Sequence, residues 1–318
     1  MERQILVPLD GSPLAEAAIP HAVLLARATD STLHVLRTVT SVSGMSVMTW
    51  PVPIPTQIER WMADSRTEAQ EYLARVAAHL RTAEITVETT VVDGNPVESI
   101  LTLVATVPTI REIVMASHGR HGLERWLFGS VADKVIQALA APVLVVPVHR
   151  PEEAEQNPTI DLNHTYATIL VPLDGSAFAE QALEPARLLA ERCAATLVLL
   201  STVPFLADLS LGAGGMVPLW TGNDQQRVRE SVAAYLETTA RRVATGGVPV
   251  RTLVIDGPPA TMIAATATEE HADLIVMATH GRSGLSRLWL GSVATRVLQN
   301  TDLPVLLIPA EEPRERGR

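Results

Sequence analysis

Short apolar runs alternate with amphipathic stretches along almost the whole chain. The first run, Ile5–Leu9, is apolar at every position, as in a strand whose two faces are both covered. Ser12 followed by Pro13 then opens a predicted helix running to about Arg27. Pro20 inside it removes a helical hydrogen bond and predicts a kink, as does Pro185 further on. Next come a strand over Thr32–Val39, a long helix over about Thr56–Arg81 and a strand over Ile85–Val92. A helix over Pro96–Val107, a strand over Glu112–Ala116, a helix over Val131–Leu139 and a strand over Pro142–Pro147 complete the unit. Five strands alternating with helices predict right-handed crossovers and a parallel sheet. Open sheets of this kind take ligands at the carboxyl ends of the strands, beside the point where strand order reverses.

The same series then begins again. Ile5–Ser12 and Ile169–Ser176 both read ILVPLDGS, 164 residues apart. Val91–Pro96 (VVDGNP) matches Val254–Pro259 (VIDGPP) at an offset of 163. Ile113–Arg120 (IVMASHGR) matches Ile275–Arg282 (IVMATHGR), and Gly129–Ala132 matches Gly291–Ala294, both at 162. An ordered series with so little drift is a duplication. The predicted organisation is one α/β domain over 1–149, a polar, acidic, proline-bounded linker over 150–166, a second domain over 167–310 and a polar tail over 311–318. The copies diverge over 40–55, which holds Trp50 and a Pro51-x-Pro53-x-Pro55 run, and over 204–221, which is glycine-rich and holds Trp220. Loop variation accounts for both; lids or partner surfaces are the other reading.

Charge narrows the choice of function. The chain carries a formal net charge of −10, and counted by segment the two copies contribute −3 each and the stretch 151–166 contributes −4. A protein built to bind nucleic acid would show a basic excess, so that class is excluded. There is no apolar run long enough to cross a membrane and no basic, then apolar, leader, which predicts a cytoplasmic protein without a membrane partner. Cys193 is the single cysteine, so no intrachain disulfide forms, in keeping with a reducing compartment.

The repeated residues gather just after the first, third and fourth strands. After the fourth come His118 and Gly119, nine residues, then Gly129 and Ser130 at the start of the last helix; His280, Gly281, Gly291 and Ser292 repeat this spacing. Glycine allows close backbone approach to phosphate, and a helix start offers free N–H groups and the positive end of its dipole. The serines read either as hydroxyl donors to an anion or as ordinary N-caps. Asp10 and Asp174 follow the first strand of each copy, as ligand carboxylates or as Asp-Gly turns. His118 and His280 are suited to a phosphate contact or to holding the loop, and lack the partners of a metal site. Arg120, Arg125, Arg282 and Arg287 flank the glycine loop as phosphate ligands or as solvated arginines. No phosphate loop of the GxxxxGK[ST] type, no GxGxxG after the first strand, no GxSxG elbow and no HExxH occurs.

Together, V-P-L-D-G-S, D-G-x-P, H-G-R and the glycine spacing resemble the universal stress protein family, over nearly the whole chain. That family's nucleotide motif is glycine, two residues, glycine, nine residues, then glycine and serine or threonine. Both copies match all of it but the first glycine, which is Ala116 in one and Ala278 in the other. The resemblance implies a Rossmann-like open sheet of strand order 3-2-1-4-5 with helices on both faces. It also implies a site for ATP, or AMP or ADP, with or without magnesium. In the first copy that site comprises Pro8, Leu9, Asp10, Val39, Met115, Ala116, His118, Gly119, Arg120, Gly129, Ser130 and Val131. In the second it comprises Pro172, Leu173, Asp174, Val203, Met277, Ala278, His280, Gly281, Arg282, Gly291, Ser292 and Val293. It further implies that the fifth strands, P-V-L-V-V-P and P-V-L-L-I-P, pair the two domains as a pseudo-dimer within one chain, with a further homodimer as an additional level.

Three functions follow from these residues: a regulatory nucleotide-binding protein, an interaction module without nucleotide, and a slow magnesium-dependent ATPase. No residue stands out as a catalytic base, so binding is favoured over turnover.

Overall fold

The computed structural model describes residues 3–40, 55–117, 129–138, 141–148, 160–203, 222–279 and 290–309. They form two compact units, Met1–Thr165 and Tyr166–Arg318. In the first, β1 (Arg3–Pro8), β2 (Ser31–Val39), β3 (Val87–Asp93), β4 (Ile110–Ala116) and β5 (Val143–Val146) alternate with helices. These are α1 (Pro13–Glu16), α2 (Ile19–Thr29), α3 (Pro55–Arg81), α4 (Pro96–Thr106) and α5 (Ser130–Ala138). The strand order is β3-β2-β1-β4-β5, and every one of these pairings is parallel. The order reverses between β1 and β4, whose carboxyl ends therefore border the crevice such sheets offer to ligands.

The second unit repeats the plan with β6 (Thr168–Pro172), β7 (Thr196–Val203), β8 (Val250–Asp256), β9 (Leu274–Ala278) and β10 (Val305–Ile308). Its helices are α6 (Leu183–Cys193), α7 (Gly222–Val243), α8 (Pro259–Glu269) and α9 (Ser292–Asn300). Parallel pairing in the order β8-β7-β6-β9-β10 again counts 3-2-1-4-5 from that unit's first strand.

Burial explains the patterns in the sequence. Residues Ser31–Arg37 of β2 are buried without alternation, which requires both sheet faces to be covered, because successive side chains point to opposite faces. The long helix α3 packs on β2 and β3 and contributes Ala69, Leu73, Val76, Ala77 and Leu80, a helical stripe of buried residues.

One expectation changes. The helix predicted from Ser12 to about Arg27 is two helices, because α1 ends at Glu16 and α2 begins at Ile19. Pro20 then sits in the first turn of α2, where a missing N–H leaves no bond unmade, so a break replaces the kink. In the second unit a 3-10 turn, Ala179–Ala182, leads into α6, and Pro185 falls in that helix's first turn.

Of the segment predicted as a linker, residues 160–165 lie with the first unit. Arg27 of α2 donates to the Leu162 carbonyl at 2.7 Å, and the His164 ring meets the His21 ring edge-on at 4.4 Å between centroids. Tyr166, fully buried, opens the second unit. Its hydroxyl is held protonated by burial, and then by Cys193 and Asp273.

Candidate functional site

The expected site residues that are described converge on the carboxyl ends of the first, second and fourth strands of each unit. Leu9, one residue past β1, donates its N–H to the Leu36 carbonyl at 2.8 Å; Leu173 does the same to Leu200 at 2.7 Å. Pro8 and Pro172 end their strands, and the half-buried Asp10 and Asp174 follow. Each carboxylate is held locally. Asp10 Oδ1 accepts from the Ser12 N–H at 2.9 Å and from the Ser12 hydroxyl at 2.6 Å, and Asp174 Oδ1 accepts from Ser176 at the same two distances. Gly11 and Gly175, both at φ 80°, make the tight reversal that brings the serine back to the carboxylate.

Val39 and Val203, closing the second strand, are buried. Their carbonyls accept from the N–H of Gly94 and of Gly257, 2.9 Å in each case, so the D-G-x-P element is hydrogen-bonded to the strand end. A second tie comes from the long helix. Arg66 of α3 pairs with Asp93, and Arg229 of α7 pairs with Asp256 at 2.7 Å while also donating to the Val254 carbonyl at 2.9 Å. Neither arginine was singled out from the sequence. Arg66/Arg229 and Asp93/Asp256 nevertheless recur at the common offset of 163, a signal that could have found them.

Met115 and Ala116 at the end of β4, and Met277 and Ala278 at the end of β9, are buried. The next residue binds outward to the fifth strand: Ser117 N–H donates to Val146 at 2.8 Å and Thr279 N–H to Ile308 at 2.9 Å. Gly129 then donates to the Ser117 carbonyl and Gly291 to the Thr279 carbonyl, both at 2.8 Å. These two bonds place the start of α5 beside the end of β4, and of α9 beside the end of β9. His118, Gly119, Arg120, Arg125, His280, Gly281, Arg282 and Arg287, like the divergent loops 41–54 and 204–221, lie outside the described residues.

At those helix starts the glycine, not the serine, is the cap. Gly291 has extended dihedrals and its carbonyl accepts from Thr295 N–H at 2.9 Å, and Gly129 accepts from Asp133 N–H at 3.1 Å. Ser130 and Ser292 are consequently the first helical residues and are exposed, each followed by a half-buried Val131 or Val293. This overturns the N-cap reading of the serines. Their hydroxyls stand at the positive end of the helix, where an anion would sit.

A further link joins α1 to α3. The Tyr72 hydroxyl donates to Glu16 at 2.9 Å, and in the second unit Tyr235 donates to Glu180 at 3.0 Å. Burial, then Glu16, push the Tyr72 hydroxyl's pKa far up, so it stays a donor. The units differ in what lies beside this link. In the first, the buried Arg37 of β2 stacks its guanidinium 4.9 Å from the centre of the Tyr72 ring; in the second, Ser201 takes that position and Arg242 of α7 pairs with Glu180 at 2.6 Å. Among the described residues, no group of three or more His, Cys, Asp or Glu could hold a metal ion, and no helix is long and apolar enough to cross a membrane.

Comparison with known proteins gives the same answer over both halves. The model of the universal stress protein family matches residues 1–147 and 165–309. A universal stress protein of Mycobacterium tuberculosis is 28% identical over 308 residues, covering 95% of this chain and 96% of that protein. One from Methanocaldococcus jannaschii is 33% identical over 143 residues, which is 45% of this chain and 82% of that one. The crystal structure of a universal stress protein from Archaeoglobus fulgidus has the same fold, with a TM-score of 0.65 at 20% identity, covering 96% of this chain and 97% of that one. This chain, matched once in each half, belongs to the universal stress protein family.

Proposed function

We propose that each unit binds one adenine nucleotide, ATP or its mono- and diphosphate relatives, with magnesium as counter-ion, and that occupancy regulates the protein's association with partners. One observation carries the reading: the same arrangement is built twice at the strand ends beside the order reversal. It comprises a held carboxylate, a buried valine wall and a glycine-capped helix start with an exposed serine. The carboxylate suits ribose or adenine donors, the valine suits a purine face, and the helix start suits phosphate. Ala116 and Ala278 do not stand against this. Each is paired in register with the neighbouring strand, Ala116 with Val146 and Ala278 with Ile308, and is about 7% exposed, so its methyl lies mostly within the protein.

The purified protein, denatured, is expected to release adenine nucleotide detectable by mass spectrometry. ATP with magnesium at a hundredfold excess over its Kd is expected to stabilise the protein by about 3 kcal/mol. Asp10→Ala combined with Asp174→Ala removes that stabilisation. If no nucleotide is released and ATP leaves Tm unchanged, the reading fails and an interaction module without nucleotide replaces it. Steady phosphate release that disappears in the double variant would point to a slow ATPase.

Pairing of the two fifth strands belongs to the same proposal and rests on their sequence, since apolar edge strands are hazardous when left open. Residues 1–165 and 166–318, expressed separately and mixed, should then co-elute at one to one. Independent elution would remove this part of the proposal.

A further inference from the structure

We infer that Ser12 and Ser176 are positioning residues for the nucleotide, each locking the neighbouring aspartate carboxylate and tying it to the start of the following helix. The inference rests on the adenine-nucleotide reading above and assigns a task to residues which that reading does not use.

A serine hydroxyl has a single hydrogen to donate. Ser12 Oγ accepts from the Ala15 N–H at 3.2 Å, capping α1, and lies 2.6 Å from Asp10 Oδ1. An ionised carboxylate only accepts, so the hydroxyl hydrogen points to Asp10 and both roles of the oxygen are filled. The distance is that of a charge-assisted bond. The Ser12 N–H, at 2.9 Å from the same Oδ1, completes a two-donor clamp on one carboxylate oxygen. In the second unit the clamp on Asp174 repeats at 2.9 and 2.6 Å, and Ser176 Oγ accepts from Ala179 N–H at 3.1 Å.

An aspartate following a strand end in an Asp-Gly turn has several staggered rotamers open to it. The clamp selects one before any ligand arrives, so less freedom is lost on binding. In the second unit Ser176 Oγ takes the first N–H of the 3-10 turn Ala179–Ala182 from outside its N-cap position, Phe178; in the first unit the atom that fixes the carboxylate is also the atom that caps α1. That helix carries Glu16, which binds Tyr72 of α3.

The test separates these tasks in the full-length protein. Ser12 and Ser176 are replaced together by Ala, by Gly or by Thr, ATP affinity is measured by calorimetry, and Tm is measured without nucleotide. Glycine at an N-cap preserves most of the helix stability that alanine loses, while both lack the hydroxyl. The expected result is an ATP affinity about tenfold weaker in both the Ala and Gly variants, as for loss of a hydrogen bond to a charged group. Tm should fall clearly only in the Ala variant, and Thr should restore both readings. If affinity follows Tm, with Gly near wild type, the serines are caps and nothing more. If all three variants bind as the wild type does, the clamp has no part in binding, although the nucleotide reading stands. If the wild type itself binds no ATP, that reading falls and this inference falls with it.

Discussion

Lowering the pH from 7 to about 5 destabilises the first unit and leaves the second close to unchanged. The cause is the half-buried His21 and the buried His34, which among the described residues have no counterpart in the second unit. Burial, reinforced by the neighbouring His164, pulls the pKa of His21 from 6.5 down to about 3. His34, beneath 10% exposed, is lowered as well, by burial acting against the attraction of Glu88. At the matching positions the second unit carries Pro185 and Val198. A group whose folded pKa lies below its unfolded value stabilises the fold fully above the unfolded value. That stability is lost as the pH falls through 6.5 towards 3. For His21 alone the loss reaches about 2 kcal/mol by pH 5.

Glu112 acts in the other direction. Its pKa is raised by burial, against the pull of Arg3, so its protonation on acidification relieves a cost. A raised pKa moves that protonation above the ordinary carboxylate range, so Glu112 offsets part of the histidine loss as the pH falls. Hydrogen exchange followed by mass spectrometry resolves the units peptide by peptide. Peptides from α2 and from 160–165 should lose protection between pH 7 and 5 while those from α6 keep theirs. His21→Leu should flatten the dependence. Equal loss in both units, or an unchanged slope in the variant, would show that these histidines do not control it.

Much of this fold was legible because the signals were local and printed twice. Runs of five to eight residues, apolar or mixed with β-branched positions, announced the strands, and the helix ends fell close to the prolines, glycines and serines that mark them. What escaped depended on geometry that residue identity does not carry. Ser292 has the identity of a cap, yet Gly291 has the extended dihedrals that make one. Pro20 signals a disturbed helix, but only the position of the break, two residues before it, decides between a kink and a new start. Asp10 and Asp174 were singled out from the sequence and do follow the first strand of each unit, while the serine clamp two residues on went unread. A D-G-S turn looks the same whether its hydroxyl faces water or the carboxylate. The pairs Arg66–Asp93 and Arg229–Asp256 span 27 residues each, beyond helical or strand periodicity, so only their recurrence at the repeat offset of 163 marks them. The contrast between Arg37 and Ser201 has no pattern to betray it at all.

Gly257→Ala costs more stability than Gly94→Ala and, if the second unit binds ATP as proposed, weakens that binding. Both glycines stand at the turn of the D-G-x-P element, with φ 139° and 141°, a region that a Cβ makes strained. That strain alone is worth about 2 kcal/mol at either position. The surroundings differ. A Cβ at Gly94 meets nothing within 4 Å, whereas at Gly257 it would lie 2.9 Å from Met262 Cγ and 3.0 Å from its Sδ. A methionine side chain moves more readily than backbone, so the added cost is about 1 kcal/mol, not the several of a rigid clash. The functional consequence runs through one hydrogen bond. The Gly257 N–H holds the Val203 carbonyl at 2.9 Å, and Asp256 beside it holds Arg229 of the long helix. A shifted turn therefore loosens the wall proposed for the adenine on two sides at once. Urea unfolding of the two variants gives the stability difference, and calorimetry gives the number of ATP sites that weaken. Equal losses at Gly94 and Gly257 would show that Met262 yields freely. Normal ATP affinity in a destabilised Gly257→Ala protein would show that the turn supports the fold without shaping the site.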